Sequence, residues 1–524
     1  MRSIILFSRF VVRKVSRKMS TLTYEDAIQK LNSLQSNKST LDQIRKDMMN
    51  GKPCTNLDDM KNYLSRTGVS LSMLDELSVI HVAGTKGKGS TSAMCESILR
   101  HHGFRTGFFS SPHLVAVRER IRLEGRVVEK DHFARHFHRV YNMLYSSQEY
   151  EGDMPKYFAF MTVLAYNIFL KEKVDVAVIE VGIGGIVDYT NVLRKVPVVG
   201  ITALGIDHTA LLGNTLPEIA AAKAGIMKPG CVAYTVNQPK EAMDVLQKVA
   251  EDVKCSLHVV PEYNSYTFPK SHVIESPYNL EAYQMNASLA IQLAQAWLRQ
   301  ANLVFETRMI ATNQVNGKNF KQNGYNKIDP FISNCDKING NITRSVTTSV
   351  SEETSYGLKQ CKWPGRFQVI QTDYARFYLD GAHTKESIEI CAKWFIENNR
   401  LRDKVLIFSA TGNRDAHVLL KPLKNIKFDS TFFVVPTAYK EFNMKSDNYS
   451  IHEFKEAITT SKNNAKIWSE MRDYNGDINT EECVWEVLSK LKQKSANADM
   501  SVLITGSLHL VGAALTILDP LLQD

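Results

Sequence analysis

The stretch that most constrains the fold of this chain is SVIHVAGTKGKGST, residues 78–91. Its apolar first part predicts a short buried strand, and its three glycines predict a turn whose backbone amides can approach a ligand closely. From Ser90 the spacing becomes helical, with Met94, Ile98 and Leu99 on one face. A strand, a glycine turn and a helix N-terminus together form an anion site, because free amides and the helix dipole point to the same place.

This turn differs from the common phosphate loop, whose pattern is G-x-x-x-x-G-K-[ST]. Val82 stands where that pattern has its first glycine, and Gly89 separates Lys88 from Ser90. We nevertheless predict a phosphate-binding loop in which Lys88 contacts the β- and γ-phosphates and Ser90 holds Mg²⁺. The alternative, a solvated turn, leaves unexplained why two lysines lie among three glycines directly after an apolar strand.

The length of 524 residues predicts at least two domains, because single hydrophobic cores stop growing beyond about 250–300 residues. The eight cysteines form no C-x-x-C pair, which is typical of a reducing compartment and argues against a zinc knuckle. No run of eighteen apolar residues is present, so we expect no integral membrane segment.

The net charge of +9 is concentrated at the N-terminus, where residues 1–18 hold six basic residues and no acidic one. Without that segment the net charge is +3, so the charge does not indicate a nucleic-acid partner. An arginine-rich, acid-free segment with an apolar face predicts a mitochondrial presequence, and the alternative is a disordered basic tail. A second start at Met19 would give a cytosolic form, so we expect the protein in the mitochondrial matrix and the cytoplasm.

Two regions of alternating strands and helices predict two α/β domains. In the first, residues 20–305, the structure is expected to comprise strands at 79–82, 106–109, 174–181 and 197–203 and a helix at 282–299. In the second, residues 357–524, a smaller parallel sheet is expected from strands at 377–380, 405–410, 431–436 and 502–506. Residues 306–356 are rich in Asn, Ser and Thr, so we predict a flexible insert that buries too little apolar surface to offset its ordering entropy.

Two further strands of the first domain are followed or ended by residue types that can bind metal ions. Glu180 ends an apolar strand just before VGIGG, and Asp207 and His208 follow the next strand. Ligands of α/β proteins bind at the carboxyl ends of the strands, so Glu180 and His208 are candidate Mg²⁺ ligands. The alternative for Glu180 is a carboxylate that faces water, and a single histidine is more often structural than a ligand.

Lys223, Arg366 and Asp380 are weaker candidates from the pattern alone. Lys223 lies among small and apolar residues of a helix expected at about 216–227, where a lysine whose amine reaches solvent is the simplest interpretation. Arg366 and Asp380 stand at the start of the second domain, from which an arginine can reach a phosphate or ribose across a cleft.

The ordered motifs closely resemble one family, the Mur-ligase-like folylpolyglutamate synthases. The likeness covers nearly the whole chain apart from the presequence and the insert, and it rests on HVAGTKGKGST, GFFSSPHLVAVRERIRLEG, VIEVGIGGIVDYTN, GIDHTALLGNTLPEIAAAKAGIMKPG, WPGRFQ, YLDGAHTKES, FSATGNRD and ITGSLHLVGAAL. The family's phosphate loop is similar to G-T-x-G-K-G-S, which residues 84–90 follow position by position. The resemblance implies an α/β fold with a P-loop ATPase domain on a parallel sheet and a smaller Rossmann-like C-terminal domain.

The resemblance also implies roles for particular residues. The residues that would bind the nucleotide are Gly84, Gly87, Lys88, Gly89, Ser90, Asn286, Arg366 and Asp380. The Mg²⁺ ligands would be Ser111, Glu180 and His208, and the catalytic candidates are Lys88, Lys223 and His383. The family's lysine at the position of Lys223 can carry a carbamate, and a monovalent cation such as K⁺ is a further candidate cofactor. Bacterial relatives commonly have an arginine where this chain has Ile186, so no role carries over there.

The implied activity is the ATP-dependent addition of L-glutamate in γ-linkage to reduced folate (poly)glutamates, which retains folates for one-carbon metabolism. Because a carboxylate is a poor electrophile, ATP would first convert it to an acyl phosphate, and Lys88 with Mg²⁺ would neutralise the charge on the transferred group. The segments SSPHLVAVRERI and KYFAFMTVLAYNIF resemble the region that lines the folate site. We expect a monomer, and we assign no general base, although His383 and the Asp207/His208 pair lie near the expected cleft.

Two alternatives to this activity stay open. A dihydrofolate synthase would join glutamate to dihydropteroate, and an ATP-driven switch would hydrolyse nucleotide without ligation. Nucleotide-binding candidates on both sides of a cleft favour a ligase over the switch.

Overall fold

The computed structural model describes most of the chain, namely residues 23–35, 54–271, 280–316, 346–399, 401–410, 414–440, 443–448, 454–494, 500–519 and 522. The predicted presequence, Met19 and residues 317–345 of the predicted insert lie outside the described residues. Within the described ranges, no helix combines the length and the apolar character needed to cross a membrane. The cysteines in these ranges are free thiols.

The first half of the chain forms an eight-stranded sheet in the order β4-β3-β2-β5-β1-β6-β7-β8. Its strands are β1 Val79–Ala83, β2 Thr106–Phe109, β3 Ile121–Leu123, β4 Arg126–Val127, β5 Val176–Glu180, β6 Val198–Ile201, β7 Val232–Thr235 and β8 Ser256–Val259. The four expected strands are confirmed, and all strands from β2 to β8 in the sheet order are parallel. The sheet is mixed rather than purely parallel, because the short hairpin of β3 and β4 adds two antiparallel strands at one edge.

Helices cover both faces of this sheet. They are α1 Tyr24–Ser33, α2 Asn56–Arg66, α3 Leu71–Glu76, α4 Lys88–His101, α5 Lys130–Ser146, α6 Tyr157–Glu172, α7 Thr209–Leu212, α8 Leu216–Ala224, α9 Lys240–Asp252 and α10 Glu281–Asn316. Val79 and Ala83 of β1 pack into the core on the side of α5 and α6, whereas Ile80 and Val82 pack into the core on the side of α4 and α10. A strand buried on both faces is mostly apolar, and β1 could be predicted although His81 lies in its middle.

The second half of the chain forms a six-stranded sheet in the order β13-β12-β11-β14-β10-β9. Its strands are β9 Gln368–Gln371, β10 Arg376–Leu379, β11 Asp403–Phe408, β12 Ser430–Val434, β13 Asp477–Glu481 and β14 Met500–Thr505. The strands are parallel except for β9, which pairs antiparallel with β10 at one edge. The helices of this domain are α12 Lys385–Asn398, α13 Ala416–Leu420, α14 Phe454–Met471, α15 Val484–Lys494 and α16 Leu508–Leu518.

The helix expected at 282–299 is longer than predicted. It continues as α10 to Asn316, so residues 306–316 are helical although they belong to the predicted flexible insert. The composition of the insert as a whole does not predict this helix end. Adding a turn to a helix that is already nucleated is easier than starting a new helix, so α10 can extend into the insert. The predicted domain boundaries themselves stay predictions.

The other end of the predicted insert is also ordered. Ser349 pairs with Thr267, and helix α11 Glu352–Lys359 packs against α4. The Ser97 hydroxyl of α4 donates a hydrogen bond to the Gly357 carbonyl at 2.7 Å. The described residues at both ends of the predicted insert therefore have regular secondary structure or specific contacts, which composition does not reveal, and the flexibility of the insert stays a prediction.

The segment 443–448 of the second domain docks on the first domain. The Asn32 side chain of α1 donates to the carbonyls of Met444 and Ser446, both at 2.9 Å. The Asp447 carboxylate accepts a hydrogen bond from the Tyr24 hydroxyl and another, at 2.7 Å, from the Val117 backbone amide. This segment therefore ties the second domain both to α1 and to the loop that precedes β3.

Candidate active site

The loop between β1 and α4 has the form predicted for a phosphate-binding loop. Gly87 caps α4 with a φ of +89°, a left-handed conformation that strains a residue with a Cβ. A Cβ on Gly84 would lie 1.8 Å from Thr202 Oγ1, and one on Gly87 would lie 2.1 Å from Asn286 Oδ1. Asn286 also accepts a hydrogen bond from Thr91 Oγ1 at 3.3 Å, so α10 lies directly against the loop.

The N-terminus of α4 provides free donors at this loop. Amides in the first turn of a helix have no acceptor within the helix, so those of Lys88, Gly89 and Ser90 are available to an anionic ligand. The Lys88 amine folds back over the loop and donates to the Thr85 carbonyl at 3.4 Å. The structure thus brings together the residues of the first domain that were predicted to bind the nucleotide.

Glu180 ends β5, which is the neighbour of β1 in the sheet, so its carboxylate lies beside the loop. The side chain is buried, and its Oε2 accepts a hydrogen bond from the Ser111 backbone amide at 3.1 Å. Burial raises the pKa of Glu180, while the charges of Lys88 and Arg366 act in the opposite direction. The alternative of a carboxylate facing water is excluded. The positive charges nearby offset the negative charge of the buried Glu180 carboxylate only in part, and such a site suits a divalent cation. Glu180 and the neighbouring Ser111 therefore fit the predicted Mg²⁺.

His208 follows β6 and caps the short helix α7. Its backbone amide donates to Asp207 Oδ1 at 2.8 Å, and its ring Nε2 lies 3.9 Å from Asp207 Oδ2. Burial lowers the pKa of His208, as do the charges of Lys88 and Lys223, so the ring is neutral at pH 7 and can offer a lone pair. Among the described residues, no hydrogen bond or ion pair joins His208 to the other two predicted metal ligands.

Lys223 lies on α8 with its amine inside the protein. The residue is only 2% exposed, and its Nζ donates to the Gly84 carbonyl at 2.7 Å. Burial lowers the pKa of Lys223 to about 7, and the charge of Lys88 acts in the same direction. The interpretation of a lysine that reaches solvent is therefore wrong, because the face of α8 that carries Lys223 packs against the phosphate loop.

Asp380 and Arg366 stand at the start of the second sheet. Both oxygens of the Asp380 carboxylate accept backbone amides, Oδ2 from Phe367 at 3.0 Å and Oδ1 from Ala382 at 2.9 Å. Burial raises the pKa of Asp380, and the charge of Arg366 opposes that effect. In the structure Asp380 holds the turn that carries Arg366, and a direct contact with a nucleotide stays a prediction.

His383 faces the first domain from the second. Its Nδ1 lies 2.8 Å from the Gly381 carbonyl, which fixes the orientation of the ring. Burial lowers the pKa of His383 to about 4, so the ring is neutral at pH 7. The charge of Asp207 in the first domain acts on His383 as well as on His208, which places both rings near one carboxylate.

Lys86 connects the phosphate loop itself to the second domain. Its Nζ donates to Thr384 Oγ1 at 2.5 Å and lies 2.8 Å from Glu386 Oε2 in the first turn of α12. The sequence did not single out this lysine for such a role, because the link depends on how the two domains meet.

A cavity opens between the domains at these residues. The first domain contributes Gly89, Ser111 and Glu180 to its wall, and the second domain contributes Trp363, Arg366 and Leu508. A phosphate loop, a buried carboxylate and an arginine from the opposite domain therefore border one space.

Relatives with known names are similar to this chain over most of its length. The protein of Homo sapiens named "Folylpolyglutamate synthase, mitochondrial" is 40% identical over 428 residues, which cover 79% of this chain and 68% of the relative. The folylpolyglutamate synthase of a Saccharomyces cerevisiae strain is 33% identical over 98% of this chain and 90% of the relative. The chain belongs to the folylpolyglutamate synthase family. The family that the motifs indicated is thus confirmed, and with it the class of enzyme, an ATP-dependent folate ligase.

Further comparisons agree with membership in the folylpolyglutamate synthase family. A family model described as "Dihydrofolate synthetase, C-terminal domain" matches residues 366–517. An Escherichia coli FolC structure in complex with DHPP and ADP matches with a TM-score of 0.65 at 20% identity, covering 95% of this chain and 98% of the other. The Mycobacterium tuberculosis folylpolyglutamate synthase, complexed with ADP and AMPPCP, matches with a TM-score of 0.63 at 21% identity, covering 89% and 95%. At these identities the two structures confirm the predicted two-domain α/β fold.

The sequence interpretation missed two residues that line the cavity of this folylpolyglutamate synthase family member. The Arg122 guanidinium lies 5.0 Å from the centre of a Trp363 ring and 5.5 Å from that of Phe108. Both missed residues lie inside motifs that carry the family resemblance, GFFSSPHLVAVRERIRLEG and WPGRFQ. That position was the available signal, whereas the stacking itself joins residues far apart in the chain.

Proposed function

We propose that this chain adds L-glutamate in γ-linkage to the glutamate tail of reduced folates through an acyl-phosphate intermediate. The observation that carries the proposal is the cavity in which the phosphate loop, the buried Glu180 and Arg366 of the second domain lie together. Phosphoryl transfer depends mainly on positioning and on positive charge around the moving group, and this arrangement provides both.

The nucleotide would be bound by residues of both domains. For this role we propose Gly84, Gly87, Lys88, Gly89, Ser90, Asn286, Arg366 and Asp380. The solved relatives with ADP or AMPPCP support a nucleotide site in this fold. Ser111, Glu180 and His208 would hold Mg²⁺, which neutralises phosphate charge when it is bound. A monovalent cation such as K⁺ stays a further candidate.

The reaction would proceed in two steps in the cavity between the domains. A γ-carboxylate oxygen of the folate tail attacks the γ-phosphorus of ATP, the bond to the leaving ADP breaks, and an acyl phosphate forms. The neutral amine of glutamate then attacks the acyl carbon and phosphate leaves. The Lys88 charge would offset the negative charge that builds up on the phosphoryl group. The His383 ring is neutral at pH 7, so it has a lone pair near the cleft, and we assign no general base for the proton that the amine releases.

A carbamate on Lys223 would change the charge beside the loop. The neutral amine of a lysine reacts with CO₂ to form an N–C bond and releases a proton, so a cation becomes an anion. The low pKa of Lys223 supports this proposal, because it makes the neutral amine available near pH 7. The new carboxylate would face Lys88 and complement its charge.

The folate would lie along the loop that precedes β3. Glu119 accepts backbone amides of Leu114, Val115 and Ala116 at 3.0, 2.7 and 2.6 Å, so this loop is rigid. The aromatic N-terminal turn of α6 lies nearby, since the Arg120 guanidinium stacks over Tyr157 at 5.3 Å. A rigid loop with aromatic neighbours suits a flat pteridine ring.

The partners and the location follow from the same reasoning. We propose reduced folate and L-glutamate as substrates, no nucleic-acid partner and a monomeric state. The relatives of Homo sapiens and Bos taurus carry "mitochondrial" in their names, which supports a mitochondrial form of this chain. A start at Met19 would supply the cytoplasmic form.

The test of the proposed function is glutamate incorporation by the purified chain with Mg²⁺, ATP, labelled glutamate and tetrahydrofolate. We expect products one residue longer. The variants Lys88→Ala and Glu180→Ala should lose activity by about 10²–10³-fold, because the first removes positive charge beside the transferred phosphoryl group and the second removes a proposed Mg²⁺ ligand. Lys61→Ala is the control, since that lysine pairs with Asp58 on the exposed surface.

Other outcomes of the same assay would replace the proposal. Incorporation with dihydropteroate but not with tetrahydrofolate would identify a dihydrofolate synthase. ATP turnover that ignores folate and glutamate would identify a nucleotide-driven switch. Full activity in both charge variants would remove those residues from the mechanism.

A further inference from the structure

A histidine pair outside the active site lies where two helices of the first domain meet. His132 and His136 are one turn apart on α5, and Glu172 is the last residue of α6. Residues four apart on a helix share a face, so both imidazoles approach the same carboxylate. The side chain of His136 is 4% exposed, whereas those of His132 and Glu172 are 28% and 33% exposed.

The donor atoms of these three side chains converge on one point. The two Nε2 atoms lie 3.0 Å apart, and Glu172 Oε1 lies 3.1 Å from His132 Nε2 and 3.6 Å from His136 Nε2. In a tetrahedral zinc site with bonds of about 2.0–2.1 Å, neighbouring ligand atoms lie about 3.3 Å apart. The measured separations lie on both sides of that value, so one ion could contact all three atoms with small side-chain adjustments.

We propose that His132, His136 and Glu172 bind one Zn²⁺ ion, with water as the fourth ligand. Imidazole nitrogen and carboxylate oxygen are ordinary zinc ligands, and mixed sets of this kind are common. The exposed sides of His132 and Glu172 leave the fourth position open to solvent. The carboxyl end of α6 adds the negative end of a helix dipole at the same place.

Hydrogen bonding alone explains the close approach of these three side chains less completely than a bound cation does. A single proton on His132 Nε2 can be donated to Glu172 or to His136, and the His136 nitrogen must then direct an unprotonated lone pair into the same space. A cation that replaces the shared proton would use all three donors at once.

The zinc cluster, formed by these three residues, lies away from the phosphate loop. Glu172 ends α6 just before β5 begins, at the amino edge of the sheet, whereas Glu180 ends β5 at the carboxyl edge. An ion at the cluster would join α5 to the end of α6 without touching the cavity. Its role would therefore be to stabilise the first domain.

The test is calorimetric titration of the metal-free full-length chain with Zn²⁺ alone, in the presence of excess Mg²⁺ to occupy the active site. We expect one zinc equivalent to bind the unmodified chain and to raise its melting temperature. His132→Gln and Glu172→Gln should each weaken this binding at least tenfold and remove the thermal shift. Both side chains are partly exposed, so the variants should fold, which circular dichroism verifies.

His417→Gln is the matched control, because this exposed histidine lies in the other domain. The control should keep both the zinc equivalent and the thermal shift, and all three variants should keep ligase activity. The proposal is overturned if the unmodified chain binds no zinc. It is equally overturned if His132→Gln and Glu172→Gln bind zinc as tightly as the control, since the ion would then occupy another site.

Discussion

Lys223 shows what burial does to a charged side chain beside a phosphate loop. Its ammonium group loses hydration and lies near Lys88, so its pKa falls from 10.5 to about 7. Between these two values the unfolded chain binds a proton that the folded chain does not bind. The free energy of unfolding therefore rises with pH across that window, and the folded state is most disfavoured by this group below about pH 7.

The same shift predicts how a carbamate on Lys223 should respond to pH. Only the neutral amine reacts with CO₂, so the carbamate signal should grow as the pH rises from about 6 to about 8. Carbon-13 NMR of the chain equilibrated with labelled CO₂ measures this signal. Lys223→Gln removes the amine without adding a buried charge and should show no carbamate, and an identical signal in that variant would assign the modification to another amine.

At the scale of single residues, local pattern predicts some of the site and misses the rest. Glu180 could be found because a carboxylate that ends an apolar strand is visible within a few positions of the sequence. The environment of Lys223 could not be found, since it depends on α8 packing against a loop about 140 residues earlier in the chain. Arg122 and Trp363 could not be predicted for the same reason, because the stacking between them joins two distant segments of the chain.

At the scale of elements, the phosphate loop permits a controlled test of glycine. Gly87 and Gly103 have almost the same φ, +89° and +87°, but a Cβ at Gly87 meets Asn286 whereas one at Gly103 meets nothing within 4 Å. Gly103→Ala should cost about 1–2 kcal/mol, the strain of a left-handed residue with a Cβ. Gly87→Ala should cost more than that and should also weaken nucleotide binding.

Urea unfolding and nucleotide titration of the two glycine variants measure these effects. Gly103→Ala should bind nucleotide as the unmodified chain does. Equal losses of stability and affinity in the two variants would show that the contact with α10 does not shape the loop.

The strands that the sequence predicted are those with the most continuous apolar runs. β1, β5 and β6 are buried on both faces, so their sequences are mostly apolar, with His81 inside β1 and Glu180 at the end of β5 as the polar exceptions. β3 and β4 have only three and two residues, too few for any period to be recognised. The ordered ends of the predicted insert were missed because α11 is stabilised by packing on α4 rather than by its own composition.

At the scale of the whole molecule, the 443–448 segment tests how the two domains are joined. Asp447→Ala removes the acceptor for the Tyr24 hydroxyl and the Val117 amide, which should cost about 1–3 kcal/mol of the docking free energy. The segment would then leave the surface more often, and trypsin should cleave faster after Lys445. Cleavage time courses of the folded chain measure this change.

Asp473→Ala is the control for the docking variant, because Asp473 is an exposed aspartate of the same domain with a surface ion pair to Lys424. Its cleavage after Lys445 should match that of the unmodified chain. Equal rates in Asp447→Ala and the control would show that the aspartate does not hold the segment in place.

The docking of 443–448 also has a consequence for how the protein is made. Helix α1 leaves the ribosome long before the 443–448 segment does, yet the Asn32 side chain donates hydrogen bonds to carbonyls that are 412 and 414 positions later in the chain. During synthesis this surface of α1 therefore stays uncovered until the chain has been translated as far as the 443–448 segment. A nascent chain released early would leave exposed the surface of α1 that the 443–448 segment covers, and chaperones would bind that surface first.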